Sequence, residues 1–201
     1  MDFKSHLENA WHLCLGNIAP LIMMTLVMTL LSIFTFGLLA PVLFAGYVYS
    51  LLRLIREGRE PKIQELFSHV RLFLPLLFLS ILVFIAVLIG FKLFFLPGIA
   101  VVCVVTFGLI YVLPLMVDKK MGLVEAMRTS WEMAIQGNIA DHIVVVILFI
   151  GLISIGSSVF IGTLFTQPFA TILVLLAYLE RIGENSTATP VESKSPFNKN
   201  S

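Results

Sequence analysis

Apolar residues fill six long runs of the chain, and charged residues are concentrated at the ends of these runs and in the intervals between them. An α-helix rises about 1.5 Å per residue, so about 20 apolar residues can cross a bilayer core of about 30 Å. The pattern therefore predicts an all-α integral membrane bundle of about six transmembrane helices. Two of the runs, the second and the sixth, are short for a full crossing. The predicted spans are residues 18–37, 39–55, 72–95, 98–117, 142–163 and 166–182.

Three prolines fall between successive apolar runs. Proline has no N–H group, so it is tolerated at the start of a helix, where the N–H has no acceptor within the helix. Pro41, Pro97 with the adjacent Gly98, and Pro168 are therefore predicted to mark the turns of three helical hairpins.

A short amphipathic segment precedes each predicted hairpin, with apolar residues at the i, i+3, i+4, i+7 spacing of a helix face. Such helices lie in the membrane interface or pack on the spans, and the pattern does not separate these alternatives. We expect Gly16 and Gly137 to end the first and third of them as left-handed caps. The three apolar stripes are Phe3, Leu7, Trp11, Cys14 and Leu15; Ile63, Leu66, Phe67 and Val70; and Val124, Met127, Trp131, Ala134 and Ile135.

The chain also repeats itself. Trp11 is followed by Gly16 and Asn17, and Trp131 is followed by Gly137 and Asn138, each pair leading into a span. This spacing predicts three pseudo-repeated units, at about residues 1–58, 59–121 and 122–182. Residues 183–201 are polar and aperiodic, and a disordered cytoplasmic tail is predicted there.

Composition narrows the class of protein. Of 201 residues, 59% are hydrophobic and only 12% are charged, with a mean hydropathy of +1.01. Soluble domains carry about 25% charged residues, so a soluble globular protein is excluded. The net charge of +1 gives no basic surface for nucleic acid, and no nucleic-acid partner is expected.

The charges predict the orientation of the bundle. If the six spans are correct, every Lys and Arg except Lys92 lies on one side of the membrane, together with all of the acids. Basic residues in short loops mark the cytoplasmic side, so both termini are predicted to be cytoplasmic. Lys92 is interpreted as an anchor that extends to the opposite headgroups.

Basic residues cluster just beyond the second and fourth spans and on the third amphipathic segment. Each can contribute roughly 1 kcal/mol near an anionic leaflet, so we interpret them as headgroup contacts and topology determinants, with a specific anionic-lipid pocket as the alternative. The candidate residues are Arg53, Arg56, Arg59, Lys62, Lys119, Lys120 and Arg128.

The embedded polar residues are mostly hydroxyls. Ser154, Ser158 and Gly162 recur every four residues, and this small-residue stripe predicts close helix packing. No ionisable residue falls near a predicted midplane, and no nucleophile or metal-ligand motif is present, so no cofactor and no enzymatic activity are expected. Only Asp141 and His142 with Glu132 could form a catalytic cluster, at the cytoplasmic edge.

The order of several short motifs resembles a known group of proteins. These motifs are Pro41-x4-Gly46-Tyr47, Gly58-Arg59-Glu60-Pro61, Leu66-Phe67, Leu96-Pro97-Gly98-Ile99 and Ala126-x3-Ser130. Over about residues 5–182 the chain resembles uncharacterised bacterial multi-span membrane proteins, including the membrane domain fused to some glycerophosphodiester phosphodiesterases. The resemblance implies a helical membrane fold and the bacterial inner membrane, and it implies no catalytic residue.

Together these features predict a non-enzymatic inner-membrane protein that acts through contacts with lipids or proteins. The expected partners are membrane lipids, with anionic lipids among the candidates, and a membrane protein or a second copy of the chain. The alternative function is a transporter or channel for a small or apolar solute, because internal repeats are common in transporters.

Overall fold

The computed structural model describes residues 3–136, 139–157 and 160–183, and these residues form helices without a single strand. The predicted all-α class is thus confirmed over the described part of the chain. Two short 3-10 segments, Ile63–Phe67 and Val70–Leu72, interrupt the series of α-helices. The α-helices are α1 (Phe3–Gly16), α2 (Ile18–Phe34), α3 (Ala40–Glu57), α4 (Phe73–Leu93), α5 (Phe95–Leu109), α6 (Val112–Asp118), α7 (Leu123–Gln136), α8 (Ile139–Ser157) and α9 (Phe160–Arg181).

Within the described ranges, four helical segments are long and apolar enough to cross a membrane, and the number is up to five if a bent pair is counted as one span. The four are Ile63–Leu93, Phe95–Asp118, Ile139–Gly156 and Gly162–Arg181. The bent pair consists of α1 and α2, whose axes meet at 85°. The chain is thus compatible with a membrane protein, and the count of six spans stays a prediction.

The core lies around α3, which packs against α2, α4, α6 and α9. Its side chains are buried along most of its length, and Tyr47 is fully buried. Gly58 ends α3 in the left-handed region, at φ +63°, where its N–H donates to the carbonyl of Leu54. By contrast α4 is apolar around its whole circumference and mostly exposed, which is the composition of a helix that faces lipid.

Prolines start most of these helices. Pro41 is the second residue of α3, and Pro97 is the third residue of α5, just after the one-residue break at Phe94. The prediction that Pro168 marks a hairpin turn was wrong. The structure has Pro168 inside α9, which already begins at Phe160. Neighbouring helices can stabilise a membrane helix around an internal proline, so a proline alone does not define its start.

Two other local predictions were wrong. Gly16 is not a left-handed cap, because the turn between α1 and α2 is made by Asn17 at φ −128°. The second amphipathic segment is not one α-helix but the two 3-10 segments at 63–67 and 70–72. Ser68 contributes to this difference, because both its N–H and its hydroxyl bond to the carbonyl of Glu65. Gly137, Asn138 and the predicted tail from residue 184 onward lie outside the described residues.

The second and third amphipathic segments pack on helices that precede them in the chain, and the first packs on the last helix. The 3-10 segment at 63–67 packs on α3, α7 packs on α5 and α6, and α1 packs on α9 at the other end of the chain. A close backbone approach accompanies the first of these contacts. A Cβ atom added to Gly46 would lie 2.5 Å from the carbonyl oxygen of Glu65 and closer still to that of Leu66.

Candidate functional site

An apolar cavity of about 510 Å³ lies beside α3, between α4, α5, α6, α8 and α9. Three hydroxyl residues, Ser80, Thr106 and Thr171, interrupt its lining. The hydroxyls of Ser80 and Thr171 each donate to a carbonyl of their own helix over 2.8 Å. The remaining lining residues are Phe44, Val48, Leu79, Val83, Phe84, Val87, Val105, Leu109, Ile110, Val112, Leu113, Pro114, Phe149, Val174 and Leu175. The cavity therefore offers hydrocarbon contacts and little hydrogen bonding.

A second cavity, of about 220 Å³, is lined by α3 and α6, which also line the apolar cavity. It lies near the C-terminal ends of these two helices, where their charged residues are. We call it the charged cleft. Along α3, Phe44 and Val48 line the apolar cavity, and Leu52 and Arg56 line the charged cleft. The charged cleft is lined by Tyr49, Leu52, Arg53, Arg56, Glu57, Val117, Asp118 and Lys120.

The central ion pair of the charged cleft joins α3 to α6. Arg56 donates from Nη1 to Oδ1 of Asp118 over 2.5 Å and from Nη2 to Oδ2 over 2.9 Å. The hydroxyl of Tyr178, on α9, donates to the same Oδ2 over 3.0 Å. The Asp118 side chain is only 10% exposed, and Lys119 Nζ lies 4.0 Å from it. One carboxylate thus holds three helices together through charge-assisted hydrogen bonds.

Arg53 forms the other edge of the charged cleft. Its guanidinium donates to Oε2 of Glu57 over 3.1 Å and lies 3.5 Å from Oε1 of Glu65. It also stacks over the ring of Tyr49, 5.6 Å from the centroid. Ser50 donates to Glu65 over 2.5 Å, so the carboxylate of Glu65 is fixed against α3 as well.

Lys120 differs from the two arginines. Its ammonium has no carboxylate partner among the described residues, although it lines the charged cleft. Its backbone is in the left-handed region, at φ +54°, a conformation that L-residues other than Asn, Asp and Gly rarely adopt.

The structure brings together only some of the predicted headgroup residues. Arg53, Arg56 and Lys120 line one cleft, and Lys119 is adjacent to it. Arg59 and Lys62 are exposed in the linker after α3 and do not line the charged cleft. Arg128 is on α7, outside this cleft, and pairs with Glu132 over 2.9 Å.

Of the two described residues of the predicted packing stripe, Ser154 and Gly162, the glycine lies at a close helix approach. A Cβ atom on Gly162 would lie 2.9 Å from the carbonyl oxygen of Gly156, so α8 and α9 are in close backbone contact there. Ser154 is exposed, and Ser158 lies outside the described residues. Gly156 and Thr166 were missed: Thr166 occupies the space that a side chain at position 156 would need.

Two of the candidate catalytic residues, Glu132 and His142, lie in different environments. Glu132 pairs with Arg128 on the exposed face of α7, while His142 is fully buried and its Nε2 donates to the carbonyl of Phe107 over 2.8 Å. No group of three His, Cys, Asp or Glu residues that could hold a metal ion occurs in the described ranges. Cys14 and Cys103 are both free thiols.

Sequence reasoning missed several residues of the site. Asp118 and Tyr178 are 62 and 60 residues from their partners along the chain, and no local signal links them. Glu65 lies outside the apolar stripe of its segment, and no sequence signal indicates that it joins the 3-10 segment to Ser50 and Arg53 of α3. No protein-family model, curated protein or solved structure matches the chain.

Proposed function

We propose that this chain is a non-enzymatic protein of the bacterial inner membrane that binds a lipid between its helices, with an acyl chain in the apolar cavity. The observation that carries the proposal is the cavity itself, whose volume is in the range of ligand pockets and whose lining is almost entirely hydrocarbon. Among molecules at that depth in a bilayer, acyl chains have the matching chemistry.

The proposed topology has six crossings and cytoplasmic termini. Two hairpin tips support it, because they carry exposed aromatic residues, including Phe34 and Phe36 at one and Phe94 and Phe95 at the other. Exposed apolar side chains of this kind mark surfaces that contact a membrane or another protein. The ionic contacts among α1, α3, α6 and α9 support a single charged side, opposite these tips. Lys92 is in the last turn of α4, about 30 Å by helix rise from the start of that helix.

The proposed threefold pseudo-repeat is supported by the packing order. The second and third amphipathic segments contact helices that precede them in the chain, and α1 closes the series by contacting α9. Tyr47, Tyr111 and Tyr178, the three largest fully buried side chains, occur once in each proposed unit. The exposed apolar residues Trp11 on α1 and Val124 on α7 support an interfacial position for these helices.

Retention of lipid by the purified full chain tests the proposal. Native mass spectrometry should detect one bound phospholipid on the wild type. In Val87→Trp the new side chain fills the cavity from α4, so we expect the bound lipid to be lost. Leu88→Trp is the matched control, because Leu88 is exposed on α4 and does not line the cavity. A wild type without lipid, or equal retention by both variants, would contradict the proposal.

A transporter is the second candidate, and one observation favours it. The segment Phe95–Asp118 is broken at Ile110 and Tyr111, and Ile110 lines the apolar cavity. Broken helices beside a cavity are found at transporter binding sites. Flux of apolar solutes into proteoliposomes tests this alternative, and flux that Val87→Trp abolishes and Leu88→Trp preserves would favour it.

A further inference from the structure

The charged cleft and the apolar cavity follow each other along the same two helices. On α3, Val48 lines the cavity and Arg53 lines the cleft, five residues later. At about 1.5 Å per residue these positions differ in depth by about 7 Å. On α6, Leu113 lines the cavity and Val117 lines the cleft, one helical turn apart. A single molecule with a hydrocarbon chain and a polar head would therefore reach both.

The charge of the cleft limits which polar head fits. Three cations line it, Arg53, Arg56 and Lys120, against two carboxylates, Glu57 and Asp118. Arg56 is engaged with Asp118 through two hydrogen bonds, and Arg53 is shared between Glu57 and Glu65. Lys120 is thus the cation whose charge is not neutralised by a carboxylate in the described part of the chain. With Glu65 beside Arg53 and Lys119 beside Asp118 included, four cations face three carboxylates, and this surplus of one positive charge matches one phosphodiester group.

Lys120 follows the C-terminal end of α6 and has φ +54°. A residue in the left-handed region commonly ends a helix, and Gly adopts this conformation without penalty. Substitution of Lys120 by Gly therefore removes the ammonium without straining the backbone.

We propose that the charged cleft binds the phosphodiester of a glycerophospholipid, with Lys120 as the main phosphate contact and Arg53 and Arg56 at its sides. This inference rests on the proposed function, because the same lipid's acyl chain occupies the apolar cavity. The occupant is a membrane lipid rather than free phosphate, because residues of the hydrocarbon-lined cavity, Val48 and Leu113, lie one helical turn from Leu52 and Val117 of the cleft.

Binding of defined lipids to the full chain in detergent tests the proposal, with phosphatidylglycerol and diacylglycerol as the two ligands. Lys120→Gly removes the ammonium without straining the backbone, so the variant should fold at least as stably as the wild type. Its affinity for phosphatidylglycerol should fall by about tenfold, the loss typical of one hydrogen bond to a charged group. Its affinity for diacylglycerol, which has no phosphate, should be unchanged.

Three control variants and one competing anion complete the test. Lys120→Asn also tolerates the left-handed backbone and should reproduce the loss, and Lys120→Arg should retain most of the affinity. Lys62→Gly removes an exposed cation outside the cleft and should change nothing. Inorganic phosphate should not displace the lipid at millimolar concentration, and displacement would instead indicate a site for free phosphate.

The outcomes separate this inference from the proposed function. If Lys120→Gly keeps full affinity for phosphatidylglycerol while Val87→Trp loses it, the acyl-chain site stands and the phosphate site is wrong. If Val87→Trp also keeps full affinity, both proposals are wrong. Equal loss of both lipids in Lys120→Gly would indicate a general structural defect and would also contradict the phosphate contact.

Discussion

His142 donates a hydrogen bond from Nε2 to the carbonyl oxygen of Phe107 over 2.8 Å, and this bond satisfies the backbone where the helix breaks between α5 and α6. In an unbroken helix the N–H of Tyr111 would bond to that carbonyl. The next carbonyl, of Gly108, accepts a bond from Ser130 Oγ over 2.7 Å. Side chains of α8 and α7 thus replace two helical hydrogen bonds.

Pro114 accounts for the position of the break. It is the third residue of α6, and its ring has no N–H for the carbonyl of Ile110 and clashes with that carbonyl in a regular helix. The broken segment is therefore specified by a proline on one helix and stabilised by His142 and Ser130 on two others.

His142→Phe keeps an aromatic ring of similar size and removes the donor. The carbonyl of Phe107 then loses its partner in a buried site, and we expect the free energy of unfolding in mixed micelles to fall by about 1–3 kcal/mol. In a Pro114→Ala background the helix can close on itself, so the same substitution should have a clearly smaller effect. Additive effects in this double-mutant cycle would contradict the account of the break.

Asp118→Asn removes the charge that Arg56 and Tyr178 share. The ion pair between Arg56 and Asp118 is partly buried. Exposed ion pairs are worth about 0–1 kcal/mol, and disruption of fully buried pairs costs about 3–5 kcal/mol, so this pair is intermediate. We expect the free energy of unfolding to fall by about 1–3 kcal/mol. Glu132→Gln is the control, because its pair with Arg128 is exposed and should be worth under about 0.5 kcal/mol. Equal effects of the two substitutions would show that the Arg56 pair does not link the helices.

Gly46→Ala tests the close approach of α3 to the 3-10 segment. The added methyl group would meet backbone carbonyl oxygens rather than movable side chains, and we expect a loss of about 3 kcal/mol in the same unfolding assay. Gly151→Ala, in α8, has open space around its Cβ and should be neutral or stabilise by up to about 1 kcal/mol. If Gly46→Ala leaves the free energy of unfolding unchanged, α3 and the 3-10 segment are further apart than in the structure.

Cysteine labelling in intact cells tests the proposed sidedness. In a background with Cys14 and Cys103 replaced by Ala, a cysteine at position 92 should react with an impermeant reagent added outside the inner membrane. A cysteine at position 62 should react only after the membrane is opened. The reverse pattern, or labelling of both positions from the same side, would show that the six-span topology is wrong.

The sequence predicts that membrane helices are present better than it predicts where they end or which helices they contact. Apolar runs and first-turn prolines such as Pro41 and Pro97 place several helix starts within a few residues of the structure. The prediction for Pro168 was wrong because a proline can lie at the start of a helix or inside one, and only packing with neighbouring helices distinguishes the two cases.

The candidate site was only partly predictable, for a similar reason. Arg53, Arg56 and Lys120 could be grouped because apolar runs that end at the same membrane face bring their flanking charges together. Their neutralising partners could not be predicted. Asp118 is 62 residues from Arg56 along the chain, and their pairing depends on how α3 packs against α6.

The most direct test of lipid binding is a high-resolution structure of the full chain in nanodiscs of native inner-membrane lipid. We predict elongated density between Phe44, Val48 and Val87, continuing to a headgroup within hydrogen-bonding distance of Lys120 Nζ. A cavity filled by the protein's own side chains, or one that is open but contains no lipid density, would contradict the account.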